Sequence, residues 1–202
     1  MQRFRFEEVP AGRVTTMSEE QALPGYVRWP IFPFEGELRV KSVLPLEATD
    51  MPRSGEPGGG PCSSCASDDA DYVWVDERWR VRATEVAPSM PMQLFLETRE
   101  HVDMHELDDT MGAELGRLLV RLDRVVTTVG NVGRVHVNRW GDGGAHFHMW
   151  IYGRPFGTRQ MLGFGVPLWA SILPPIDDAT WWANLAVVAV GLERGGGRSM
   201  LS

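Results

Sequence analysis

Cysteine is nearly absent from this chain of 202 residues: Cys62 and Cys65 are the only two. Two thiols three positions apart cannot staple a domain, so a disulfide-built secreted scaffold is excluded. No stretch reaches the roughly 18 uninterrupted apolar residues that a bilayer span needs. The opening MQRFRFEEVPAGR has no apolar run behind its basic residues, so no secretory signal is read there. These absences lead to the expectation of a soluble, cytoplasmic protein with no membrane partner. Excess positive charge is missing too. The formal net charge is −7, which repels a phosphate backbone, and nucleic acid is not expected as a partner. The charge is uneven, −8 over residues 61–110 and +3 over 111–202, so an anion-binding surface is expected in the last half. No internal repeat is found.

What is present divides the chain into four stretches. Residues 1–22 are polar, mixed in charge and without period, and are read as a loose tail. Residues 23–60 combine a proline-interrupted aromatic segment, fit at most for an edge strand, with the run EATDMPRSGEPGGG, which has little to bury and reads as a flexible loop leading to the cysteines. Residues 61–155 hold the regular elements. YVWV and RWRVRA around Asp76 and Glu77 predict a hairpin, and MQLFLE a further strand. After Asp108 and Asp109, the apolar positions Met111, Leu115, Leu118, Leu119, Leu122, Val125, Val126 and Val129 keep one helical stripe, ended by Gly130. RVHVNRW and AHFHMWIY, joined by Gly141, Asp142, Gly143 and Gly144, predict a second hairpin. Residues 156–202 are punctuated by Pro and Gly and close with a helix from Asp177 or Asp178 to the GGG at 195–197. Its apolar residues lie nearly all round, so it is buried or shared with another subunit. The fold class is α+β, an antiparallel sheet of about five or six strands with one long helix across it and a C-terminal helix.

The chemistry is concentrated in few residues. In a strand, His146, His148 and Trp150 point one way, while Phe147, Met149 and Ile151 point into the core. A C-x-x-C pair is half of a zinc site, a redox pair or an ordinary turn. Following GGGP and preceding SDDAD it is poorly placed for thiolate activation, and zinc fits if two more ligands arrive from elsewhere. His101 and His146 are available, with His105 an alternative to His101. His136 shares a strand face with Asn138 and reads as a hydrogen-bonded surface residue. Asp68, Asp69 and Asp71 read as a solvated loop without the rest of a calcium-binding pattern.

Taken together, C-S-S-C, D-E-R-W-R-V-R, L-F-L-E-T-R-E-H-V-D-M-H-E-L, a long helix, V-N-R-W-G-D-G-G and H-F-H-M-W resemble the histidine triad superfamily over residues 61–155, closest to its zinc-containing branch, which includes galactose-1-phosphate uridylyltransferase. The resemblance implies a structural zinc ion on Cys62, Cys65, His101 and His146. It makes His148 the nucleophile toward the α-phosphorus of a nucleotide, forming a nucleotidyl-histidine, and it puts Asn138, Gly143, Gly144 and Trp150 at the substrate. It further implies a nucleotide or nucleotide-conjugate substrate, hydrolysis or nucleotidyl transfer, and a homodimer. This chain departs from the family's H-x-H-x-H or H-x-H-x-Q in carrying Trp150 at the third position. It also has no hydroxyl residue in its shortened glycine loop. A frame with His146 as nucleophile would restore a third His but would put Gly144 where a zinc ligand belongs. The alternative is a catalytically inactive zinc-stabilised nucleotide-binding or interaction protein. Trp150 separates the two: it either fills the phosphate site or stacks beside an open pocket.

Overall fold

A computed structural model describes residues 22–41 and 47–201. Six antiparallel strands form one sheet in the order β4-β5-β3-β2-β1-β6, with β1 at Trp74–Val75, β2 at Trp79–Ala83, β3 at Met92–Thr98, β4 at Val132–Asn138, β5 at His148–Pro155 and β6 at Arg198–Ser199. The helices are α1 (Ser63–Ala66), α2 (Asp109–Thr127), α3 (Gly165–Ile172) and α4 (Asp178–Glu193). The α+β class is as expected from the sequence.

Strand alternation sorts the sheet into two faces. Val81, Leu94, Leu96, Phe147 and Ile151 are buried in one cluster with Leu115, Leu118, Leu122 and Val126 of α2 and Trp181, Leu185, Val188 and Leu192 of α4. Both helices start where an aspartate side chain accepts an otherwise orphaned N–H: Asp108 from Met111 and Asp177 from Thr180. They pack closely because Gly191 has no side chain; a Cβ there would lie 2.5 Å from Val125 Cγ1. α4 buries Trp181 and Leu185 but leaves Trp182, Val187 and Val190 exposed. The opposite sheet face carries the cross-strand rows Glu97 with His148, Phe95 with Trp150 and Arg82 with Phe95, and the functional groups stand there.

Several expectations need correction. The tail lies almost wholly outside the described residues. No strand occurs among the described part of 26–46, where Gly25–Arg28 form a 3-10 turn, because the prolines leave too few N–H groups for a ladder. The 47–60 stretch is not a slack loop. Arg53 binds Glu56 and Asp103, and Ser54 bridges to Gly144. β5 begins at His148, not at Ala145, since Phe147 N–H is taken by the Val102 carbonyl and not by β4. α2 ends at Thr127, three residues before Gly130. α3 and β6 had no sequence signal of their own. α3 tolerates Pro167 because it lies in the first turn, and β6 is only two residues paired to β1.

Leu122 is fully buried between α2 and the sheet. Leu122→Ala is expected to cost about 2–5 kcal/mol and lower Tm by roughly 10 °C, whereas Val120→Ala on the exposed side of α2 is expected to shift Tm by under about 2 °C, both read by thermal denaturation.

Candidate metal centre and adjoining cleft

Four side chains from three separated segments converge. The ligating atoms of Cys62, Cys65, His101 and His146 lie within 4.8 Å of one another. Cys62 precedes α1 and Cys65 lies within it, so one short turn presents both sulfurs. His101 follows β3, and His146 ends the glycine loop ahead of β5. His146 Nδ1 is 3.5 Å from each sulfur, and His101 Nδ1 is 3.3 Å from Cys65 Sγ. Zinc bonds of about 2.3 Å to sulfur and 2.0–2.1 Å to nitrogen give a tetrahedron with S–N edges of about 3.6 Å, so these spacings are those of ligands around one ion. Both thiols are free.

The protonation chemistry agrees. His146 Nε2 donates to the Thr98 carbonyl at 2.8 Å, which leaves the lone pair on Nδ1, toward the sulfurs. Burial pushes the His146 pKa down and favours the neutral ring. The Cys65 thiol is pushed up, by burial first and then by the neighbouring Cys62, so two thiolates are disfavoured there unless a cation offsets them. The donor set, its spacing and its charge all fit zinc. His105, the alternative ligand, is exposed and outside the cluster, beside Asp103.

The loop ahead of the cysteines holds this centre in place. Ser54 N–H donates to the Gly143 carbonyl, Ala145 N–H to the Ser54 carbonyl, and Arg53 Nη1 to the Gly141 carbonyl at 3.0 Å. Asp103 is buried, accepts from Arg53 at 2.7 Å and is also paired with Arg139. That cluster joins the 53–60 loop, the segment after His101 and the glycine loop. Neither ion pair of Asp103 was visible in the sequence, because Arg53 and Arg139 are 50 and 36 residues from it.

Beside the cluster lies a cleft of about 330 Å³ lined by Ser54, Ser63, Ser64, Arg82, Phe95, Glu97, Gly143, Gly144 and His148, with Cys62 and His146 at its edge. His148 Nδ1 donates to the His146 carbonyl at 2.9 Å, so Nε2 carries the lone pair. Among the described residues neither Gly143 nor Gly144 donates its N–H to a protein acceptor. Asn138 and Trp150 are cross-strand partners beside the cleft and not in its lining. Trp150 packs on Phe95 with ring centroids 4.3 Å apart and stacks on Tyr152 at 5.8 Å, with Trp140 edge-on at 5.8 Å. The cleft's cation, Arg82, comes from the acidic segment 61–110 and not from the last half as net charge suggested, because cross-strand neighbours rather than segment totals set the local field. Sequence reasoning also missed Ser54, Arg82 and Glu97, which are far from the histidine motif along the chain.

Solved proteins with a similar structure can be named. A zinc-bound histidine triad family protein from Mycobacterium smegmatis is 14% identical, over 61% of this chain and 84% of its own, with a TM-score of 0.44. A histidine triad protein from Bradyrhizobium japonicum is 18% identical, over 59% and 88%, TM-score 0.48. A uridylyltransferase mutant is 22% identical, over 66% and 48%, TM-score 0.48. The chain spans about half the length of that uridylyltransferase. No family model matches it, and no curated protein does.

Gly55 has a φ of +91°, and a Cβ there would meet His101 Cε1 at 2.5 Å; Gly58, at +86°, has only Pro52 at 3.7 Å. Both substitutions strain the backbone, but only one displaces a ligand. Gly55→Ala is therefore expected to lose more than about half of its bound zinc as purified, while Gly58→Ala retains about one equivalent, measured by elemental analysis. Equal zinc content in the two would contradict the placement of His101.

Proposed function

We propose that the chain is a zinc-stabilised nucleotide hydrolase or nucleotidyltransferase of the histidine triad type, with His148 as the nucleophile. The observation that carries the reading is the hydrogen bond from His148 Nδ1 to the His146 carbonyl, which aims the Nε2 lone pair away from the backbone at the cleft's edge. A neutral imidazole held in one tautomer is the form that attacks phosphorus near pH 7.

In the first step His148 Nε2 forms a bond to the α-phosphorus, and the bond from phosphorus to the leaving group breaks with its electron pair retained by the leaving group. In the second, water or an acceptor hydroxyl attacks the same phosphorus and gives up its proton to solvent, the P–N bond breaks and the imidazole returns with its Nε2 lone pair. The N–H groups of Gly143 and Gly144 are placed to hold the charged phosphoryl oxygens. The Ser54 hydroxyl, brought beside Gly144 by the bridge between those residues, supplies the hydroxyl that the glycine loop itself lacks. Asn138 and Trp150, outside the lining, meet only a part of the substrate that extends past the Phe95 wall.

Zinc, held by Cys62, Cys65, His101 and His146, is structural in this reading, since four protein ligands leave no position for substrate. Its contribution is to fix His146, whose backbone carbonyl in turn orients His148. The stack of Trp150 on Phe95 and Tyr152 keeps the indole beside the cleft, which favours turnover over the inactive alternative. A homodimer and a cytoplasmic location accompany the family reading.

Incubation with radiolabelled nucleoside phosphoramidates, adenylylated compounds and nucleotide sugars is expected to leave an acid-labile nucleotidyl adduct on the protein. His148→Asn is expected to abolish the adduct and lower turnover by more than about 10³-fold, with Ser54→Ala losing roughly tenfold. No adduct and no product from any of these substrates would overturn the reading.

A further inference from the structure

On the sheet face opposite the helices, Arg80 and Arg82 of β2 stand beside Glu97 of β3, whose cross-strand partner is His148. Arg80 is 5% exposed and Glu97 4% exposed. Arg80 is committed to the chain, with Nη2 donating to the Ser64 carbonyl at 2.9 Å, and its guanidinium lies 4.3 Å from the Tyr72 ring centre. Arg82 is held differently. Its Nη2 alone serves Tyr72 Oη at 2.7 Å, Ser67 Oγ at 3.0 Å and Glu97 Oε2 at 3.5 Å. Nη1 donates to nothing among the described residues, and Nε is buried without a partner.

Two guanidinium groups face one carboxylate, and Tyr72, kept a neutral hydroxyl as burial pushes its pKa up, accepts from Arg82 while donating to Glu97 at 3.1 Å. The remaining acid whose field reaches Arg82, Asp71, is exposed and spends its carboxylate on the Asp68 N–H. Outside the lining, Arg53 and Arg139 are matched by Asp103 and Glu56. Arg82 thus keeps N–H groups unused on the lining of the cleft, with Glu97 at 3.5 Å as its one ion-pair partner among the described residues. A buried N–H left without an acceptor is costly, and an anion in the cleft would complete it.

We propose that Arg82 is the anion seat of the cleft, binding a phosphate or pyrophosphate group of the substrate in addition to the group that the glycine loop holds. The seat rests on the reading of the cleft as a nucleotide site and deepens it. A planar guanidinium with unused N–H groups pairs with phosphate oxygens through a fork of hydrogen bonds that an ammonium cannot reproduce. Glu97 tunes the seat: it orients Arg82 and weakens the net field, so that the anion is held and released.

The test is equilibrium binding of inorganic pyrophosphate to the full zinc-loaded chain by calorimetry at fixed ionic strength, which needs no turnover. Arg82→Gln is expected to weaken binding at least about tenfold, with Arg82→Lys between it and the parent, and Glu97→Gln to tighten binding several-fold. Arg124→Gln, on the exposed side of α2 away from the cleft, is expected to bind within about threefold of the parent. Where Arg82→Gln fails to fold, weakened binding by Arg82→Lys at an unchanged Tm carries the same decision. Binding unaffected by either Arg82 variant, or no binding to the parent chain, overturns the proposal. An absent His148 adduct alongside intact, Arg82-dependent pyrophosphate binding would overturn the reaction and leave the seat standing.

Discussion

Four polar side chains, otherwise ill-suited to sharing a small volume, meet at one point because a dication can make that meeting favourable. The cluster of Cys62, Cys65, His101 and His146 is the joint between the loop leading into the sheet, the end of β3 and the glycine loop before β5. Its cost in the absence of metal is visible in the Cys65 thiol, raised by burial and by the neighbouring sulfur. An ion bound there would supply what the hydrophobic core cannot, since the core clusters on the other face of the sheet, under α2 and α4.

His146 links this centre to the chemistry. Its ring faces the sulfurs and the Thr98 carbonyl, while its own carbonyl receives His148 Nδ1–H. A change at a bound metal would therefore reach His148, the proposed nucleophile, through one residue's backbone rather than through any shared side chain. The Arg53–Asp103–Arg139 cluster performs a similar service for the glycine loop, so the cleft has two supports, one of coordination and one of ion pairs.

The core was largely legible in the sequence. The stripe from Met111 to Val126 and the alternation through Phe147, Met149 and Ile151 are local patterns, and each reports the face that the residue buries. The motif histidines and cysteines were legible through family resemblance, and their convergence is the part that a linear pattern cannot supply by itself. What stayed hidden was of two kinds. α3 and β6 have no period or cap of their own and depend on surfaces formed by other elements. Arg82, Glu97 and Ser54 carry no motif; only the pairing of β2 with β3 and the bridge from Ser54 to Gly144 bring them to the cleft. Segment charge misled for the same reason, because the cleft's guanidinium, Arg82, sits within the most acidic quarter of the chain.

X-ray absorption at the zinc edge of the purified protein tests the coordination claim most directly. The account predicts about two sulfur neighbours near 2.3 Å and two nitrogen neighbours near 2.0 Å, with no coordinated water. A shell of oxygen and nitrogen alone, or a folded protein that takes up no zinc, would contradict it.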